Sequence, residues 1–114
     1  MNVIRCIKYS TLIIALLLNG CAPVPVRNDP WSGPDKALHF GASAVIAAAA
    51  AQSAKNHEHS NCKAFRIGFV VSSGVGVAKE LADDNIRQVG WSWRDLVMDV
   101  LGAAAGSWIV APCR

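Results

Sequence analysis

Asp35 and His39 stand four residues apart, and so do Asp95 and Asp99. Each pair shares one face if its segment is helical. Lys36 adjoins the first pair and Arg94 the second, while Lys79, Glu80 and Asp83 form a third polar group, followed by Asp84. One imidazole among carboxylates and ammonium groups is open to three kinds of chemistry. Lys36, Lys79 and Arg94 can neutralise Glu80, Asp95 and Asp99 in an ion-pair network that holds His39 by hydrogen bonds and fixes helix register. Asp35, Lys36, His39, Lys79, Glu80, Asp83, Asp95 and Asp99 can instead line a binding site for a polar head group or peptide fragment. Trp31, Trp91 and Trp93 would flank that site, and tryptophan favours membrane interfaces. Finally, His39, Glu80 and Asp99 are the candidate catalytic residues, as an acid–base pair or as hard nitrogen and oxygen ligands. No spacing among them matches a metal signature, so neither a metal nor a cofactor is expected. His57 and His59, with Cys62 nearby, offer soft-metal ligands, but a His-x-His in a polar loop is ordinarily solvated.

These residues need elements to hold them. Residues 55–61 are all polar, and 83–90 form a second polar stretch that ends on Gly90, a chain breaker. Between these breaks the pattern predicts three helices, roughly 34–54, 63–82 and 93–111, in an all-α, up-down-up bundle. Sustained strand alternation is missing from the sequence. Alanines 47–51 favour the first helix and Pro112 stops the third. Trp31-Ser32-Gly33-Pro34-Asp35 and Trp91-Ser92-Trp93-Arg94-Asp95 repeat Trp-Ser-x-x-Asp, which predicts a serine cap and a helpful acid at two helix starts. Alternating direction brings the start of helix one, the end of helix two and the start of helix three to one tip, where the ionisable residues lie. Asp99 shares its face with Gly102 and Gly106, a GxxxG pattern for close packing, so its carboxylate faces a helix contact and needs partners. Gly68, Gly74 and Gly76 lighten helix two. The same topology sets Cys62 beside Cys113 at the opposite tip, where a disulfide would contribute about 4 kcal/mol in the chain-entropy treatment.

The chain has 114 residues, enough for one small domain. It is 53% hydrophobic and 17% charged, which excludes a disordered chain. Walker A, GxSxG, HExxH and CxxC motifs are missing from the sequence. Residues 1–10 contain Arg5 and Lys8 and no acid, and 11–18 are an uncharged, mostly apolar run too short to span a bilayer. Residues 1–20 therefore read as a removable secretory signal. Leu18-Asn19-Gly20-Cys21 resembles the bacterial lipobox, which implies cleavage before Cys21 and acylation of that cysteine. Ala22, rather than Asp, then implies sorting to the outer membrane. Residues 21–30 hold the lipidated cysteine and a tether with three prolines, which reaches roughly 28 Å at about 3.1 Å per residue. Residues 31–114 make the helical domain. Removing Arg5 and Lys8 leaves nine cations against eight acids, a balance that excludes a dedicated nucleic-acid binder. Residues 67–78 and 100–111 are uncharged runs of twelve, short of the roughly 20 a spanning helix needs. Helix one is interrupted by His39, Ser43, Gln52 and Ser53. These lengths predict a compact bundle, soluble or resting on a membrane surface.

Three stretches carry a family resemblance. Trp31-Ser32-Gly33-Pro34-Asp35-Lys36-Ala37-Leu38-His39-Phe40, Ala78-Lys79-Glu80-Leu81 with Asp83, and Gly90-Trp91-Ser92-Trp93-Arg94-Asp95-Leu96 with Asp99-Val100-Leu101-Gly102 resemble the YfiM-like family of predicted periplasmic lipoproteins. The resemblance runs from the lipobox to about Gly106 and implies a location rather than a reaction. A looser similarity, through Asp-Lys-x-x-His-Phe on a first helix, is to VanZ-like membrane proteins, whose helices are embedded. The expectation is an outer-membrane lipoprotein facing the periplasm, a structural or interaction component of the envelope. Its partners would be the membrane, through acyl chains on Cys21, and an envelope lipid or protein. The alternatives are an enzyme or binding protein acting on an envelope lipid or cell-wall fragment through the His/carboxylate cluster, and an embedded VanZ-like protein.

Overall fold

A computed structural model describes residues 31–86, 88 and 90–114. The expected signal peptide, Cys21 and the tether lie outside the described residues. Those described form three α-helices: α1 (Pro34–Asn56), α2 (Asn61–Asn85) and α3 (Trp93–Val110). They pack as the expected all-α bundle in up-down-up order. The start of α1 meets the start of α3 through Lys36 and Asp95, and the end of α1 meets the end of α3 through Lys55 Nζ and the Val110 carbonyl, 3.2 Å apart. At that second tip Cys62 and Cys113 are joined in a disulfide, with Cα atoms 4.4 Å apart.

The helix starts differ from one another. Ser92 caps α3 as expected, its hydroxyl accepting from the Asp95 N–H at 3.2 Å. Ser60 does the same for α2, accepting from the Lys63 N–H at 3.3 Å. Ser32 does not cap α1. Gly33 occupies the cap position with φ 150°, which glycine tolerates, and no side chain bonds the first turn. Pro34 supplies the pre-set first helical φ instead. The expected break at 83 also moves. Helix α2 continues through Asp83 because Lys79 reaches that carboxylate one turn on, at 2.6 Å, and the Asn85 amide closes the last turn on the Leu81 carbonyl at 2.9 Å.

The inner seams run almost strictly every fourth residue. On α1 the buried positions are Lys36, His39, Ser43, Ala47, Ala51 and Ala54; on α2 they are Ala64, Gly68, Ser72, Gly76, Glu80 and Asp83. From one tip to the other the interior therefore passes from ionic groups, through hydroxyls, to alanine. Close approach requires glycine on α3. A Cβ on Gly102 would strike the Phe40 backbone, and one on Gly106 the Ala44 backbone. The GxxxG pattern is thus the α1–α3 contact.

The exterior is the reverse of a soluble bundle's, in which apolar stripes face in and polar faces out. Across residues 37–51 of α1, 67–78 of α2 and 96–111 at α3, every exposed residue is apolar or glycine. Val45, Val70, Val71, Val75, Leu101 and Ile109 all lie on this surface, Val70 at 66% exposure and Ile109 at 79%. With a rise of 1.5 Å per residue, this belt is roughly 18–24 Å tall. Beyond it the exposed residues turn polar at the disulfide tip: Gln52, Lys55, Asn56, His57, Glu58, Lys63 and Arg66. Trp31 and Trp93 are exposed at the ionic tip, and Trp108 near the other end of the belt.

Candidate functional site

Each of the eight expected site residues sits at the ionic tip, and their roles divide between two sides. On the α1–α3 side, Lys36 is 2% exposed and its ammonium bridges two carboxylates, donating to Asp95 and, at 3.2 Å, to Asp35. His39 lies one turn deeper. Its Nδ1 is 3.1 Å from Asp99 Oδ1, while Nε2 faces Asp95 Oδ2 at 3.5 Å and Asp35 Oδ1 at 3.9 Å. Carboxylates therefore stand at both ring nitrogens, an arrangement that fixes ring orientation whichever nitrogen carries the proton.

On the α2 side, Lys79 pairs with Asp83 and stands 3.7 Å from Glu80 Oε1. Glu80 is the largest fully buried side chain among the described residues. Its Oε2 accepts the backbone N–H of Ser92 at 2.8 Å. This bond explains how the α3 cap differs from a capping box. In that motif the acid three residues into the helix would reach back to the cap N–H. Here Glu80 takes that N–H from another helix, and Asp95 turns to Lys36. One carboxylate thereby pins the α2–α3 connection.

The expected pairing is corrected in detail. Asp99 is held by His39 rather than by a lysine, and Arg94 lies over the Trp31 ring, 5.4 Å from its centroid. Cys62 is in the disulfide, so it offers no thiolate to His57 and His59, and the soft-metal possibility in that loop lapses.

The sequence reading missed a hydroxyl layer beneath the ions. Ser43 Oγ donates to the Asp99 carbonyl at 2.5 Å and Ser72 Oγ to the Ser43 carbonyl at 2.7 Å, with the two Oγ atoms 2.8 Å apart. These bonds tie all three helices at one level. Ser43 stands one turn beyond His39, which places it in the pattern. Ser72 has no sequence signal beyond its place in the every-fourth-residue row.

Two features give the tip chemical potential. First, one ligand atom from each of His39, Glu80 and Asp99 lies within 4.8 Å of the others, and Asp35, His39 and Asp95 form a second such group. Second, Glu80 Oε1 and Asp99 Oδ2 are buried and accept no hydrogen bond. The arrangement can hold a cation, or move a proton between imidazole and carboxylate.

Compared with family models, curated proteins and solved structures, the chain matches none of them.

Proposed function

We propose that this chain is an acyl-anchored protein of the cell envelope, with a three-helix domain set among lipid acyl chains as a structural or interaction component of the membrane. The inverted exterior carries the reading. A charged or hydroxyl-bearing interior inside an apolar belt is the arrangement expected where the surrounding solvent is hydrocarbon. Small residues along the seams favour the same setting, because helices in lipid associate through close backbone approach and interhelical polar contacts rather than through a hydrophobic core. The Gly102 and Gly106 contacts and the Ser43–Ser72 bonds are of these kinds. Tryptophans at both ends of the belt suit the two interfaces. Helix α1 is also long and apolar enough to cross a membrane by length and composition. The belt is shorter than the roughly 30 Å of bilayer hydrocarbon, a mismatch met by local thinning or tilt at modest cost. The lipobox resemblance at Cys21 and the YfiM-like and VanZ-like motifs support an envelope setting.

The test separates acyl anchoring from burial of the helices. Residues 1–20 are replaced by a cleavable, non-lipoprotein export signal and Cys21 by Ser, and membranes are washed with alkaline carbonate. The chain is expected to stay in the pellet without its acyl chains. Quantitative release into the supernatant would show that the helices rest outside the hydrocarbon.

A further inference from the structure

We propose that the ionic tip is a divalent metal site, with His39, Glu80 and Asp99 as its protein ligands and a first-row ion such as Zn²⁺ or Mn²⁺ as its occupant. Four observations converge on this assignment. All three side chains are buried, and one ligand atom of each lies within 4.8 Å of the other two. His39 Nδ1 and Asp99 Oδ1 are 3.1 Å apart, close to the separation of about 3.0 Å between cis ligands that are each about 2.1 Å from an ion. The two carboxylates that converge on His39 each carry an oxygen, Glu80 Oε1 and Asp99 Oδ2, that accepts no hydrogen bond. Buried oxygens without a hydrogen bond are costly; a cation would satisfy Asp99 Oδ2 and add to the Lys79 ammonium that stands 3.7 Å from Glu80 Oε1.

Charge gives the fourth observation. The tip gathers the carboxylates of Asp35, Glu80, Asp83, Asp95 and Asp99 around the two ammonium groups of Lys36 and Lys79, with Arg94 stacked on Trp31. Even with all three cations counted, the five carboxylates, of which Glu80, Asp83 and Asp99 are buried and Asp35 and Asp95 half-buried, remain in excess, and a divalent ion brings the cluster toward neutrality. The second ligand group, Asp35, His39 and Asp95, is the weaker choice because Lys36 already occupies its two carboxylates. That group instead supplies the outer support of the site. With Nδ1 on the metal, His39 Nε2–H points to Asp95 Oδ2 at 3.5 Å, the carboxylate–histidine–metal relay that orients a ligating ring. Lys79 remains on Asp83. One imidazole and two carboxylates form a hard-to-borderline donor set, and three protein ligands leave a coordination position open, as in catalytic rather than structural zinc sites.

The experiment uses the full mature chain in detergent micelles, stripped with a chelator and dialysed against Zn²⁺ or Mn²⁺. His57 and His59 are replaced by Ala in the working background to remove loop imidazoles. One equivalent of ion is expected to bind and to raise the melting temperature. Glu80→Gln keeps an acceptor for the Ser92 N–H and removes the ligand charge. It should weaken binding at least tenfold, as should Asp99→Asn, while Asp84→Asn should leave affinity unchanged. Absence of stoichiometric ion in the folded background protein would overturn the site even if every ligand variant fails to fold. So would unchanged affinity in both folded Glu80→Gln and Asp99→Asn.

Discussion

Gly106→Ala and Gly74→Ala add the same methyl group to the same residue type in the interior of a helix, yet the structure assigns them opposite signs. At Gly106 the new Cβ would come within 2.7 Å of the Ala44 carbonyl carbon and 2.8 Å of its Cα, and closer still to the carbonyl oxygen. Carbon atoms in favourable contact sit about 3.5–4.0 Å apart. The obstruction is backbone, so no side chain can rotate away, and α3 must lift from α1 by roughly 1 Å along the seam. Overpacking of this kind costs about 1–3 kcal/mol. The helix propensity gained on replacing glycine with alanine returns about 1 kcal/mol. A net loss of up to about 2 kcal/mol remains, or a fall of up to roughly 15 °C in melting temperature for a domain of this size. Gly74 has nothing within 4 Å of its added Cβ. There only the propensity gain acts, and stability should rise by up to about 1 kcal/mol. Thermal unfolding of the two variants beside the parent chain, in one detergent and followed by far-ultraviolet circular dichroism, reads both effects. Equal shifts in the same direction would refute the close α1–α3 seam.

Two other predictions probe the tip. Ser92→Ala should cost about 1 kcal/mol through loss of the α3 cap, whereas Ser32→Ala should cost nothing measurable, and paired denaturation curves decide between caps at both repeats and a cap at one. Lys36→Met leaves the carboxylates of Asp35 and Asp95 without their shared buried ammonium and should destabilise the domain by about 3–5 kcal/mol. A loss below about 1 kcal/mol on chemical unfolding would show that Lys36 is solvated rather than buried.

The bundle was legible in the sequence because both of its governing signals are periodic. Polar breaks divide the chain into three runs of helix formers, and alternating direction then collects Asp35, His39, Glu80, Asp83, Asp95 and Asp99 at one tip. The Cys62–Cys113 bridge follows from the same geometry. Contacts between helices with no local pattern were not legible. The bond from Glu80 to the Ser92 N–H joins residues twelve apart across a connection, and nothing near Ser92 announces it. Ser32 had the composition of a cap, but the backbone turns at Gly33 and brings Pro34 into the first turn, so composition misled there. The exterior was the largest omission. Alanine and glycine appear on both the inner and outer faces of these helices, so periodicity alone could not tell which apolar residues faced out. The three-dimensional seam resolves this, because polar Lys36, His39, Ser43, Ser72, Glu80 and Asp99 occupy the inside.

The most direct measurement of what surrounds that exterior uses the native chain, reconstituted in vesicles containing a phospholipid with a photoactivatable diazirine at the end of one acyl chain. After irradiation, adducts are mapped by mass spectrometry. The lipid-set bundle predicts labelling at mid-belt positions on all three helices, including Val45, Val71, Val75 and Leu101, with none in the 57–60 loop. Adducts absent from every helix, on a protein shown to be folded by its intact disulfide and helical content, would contradict it.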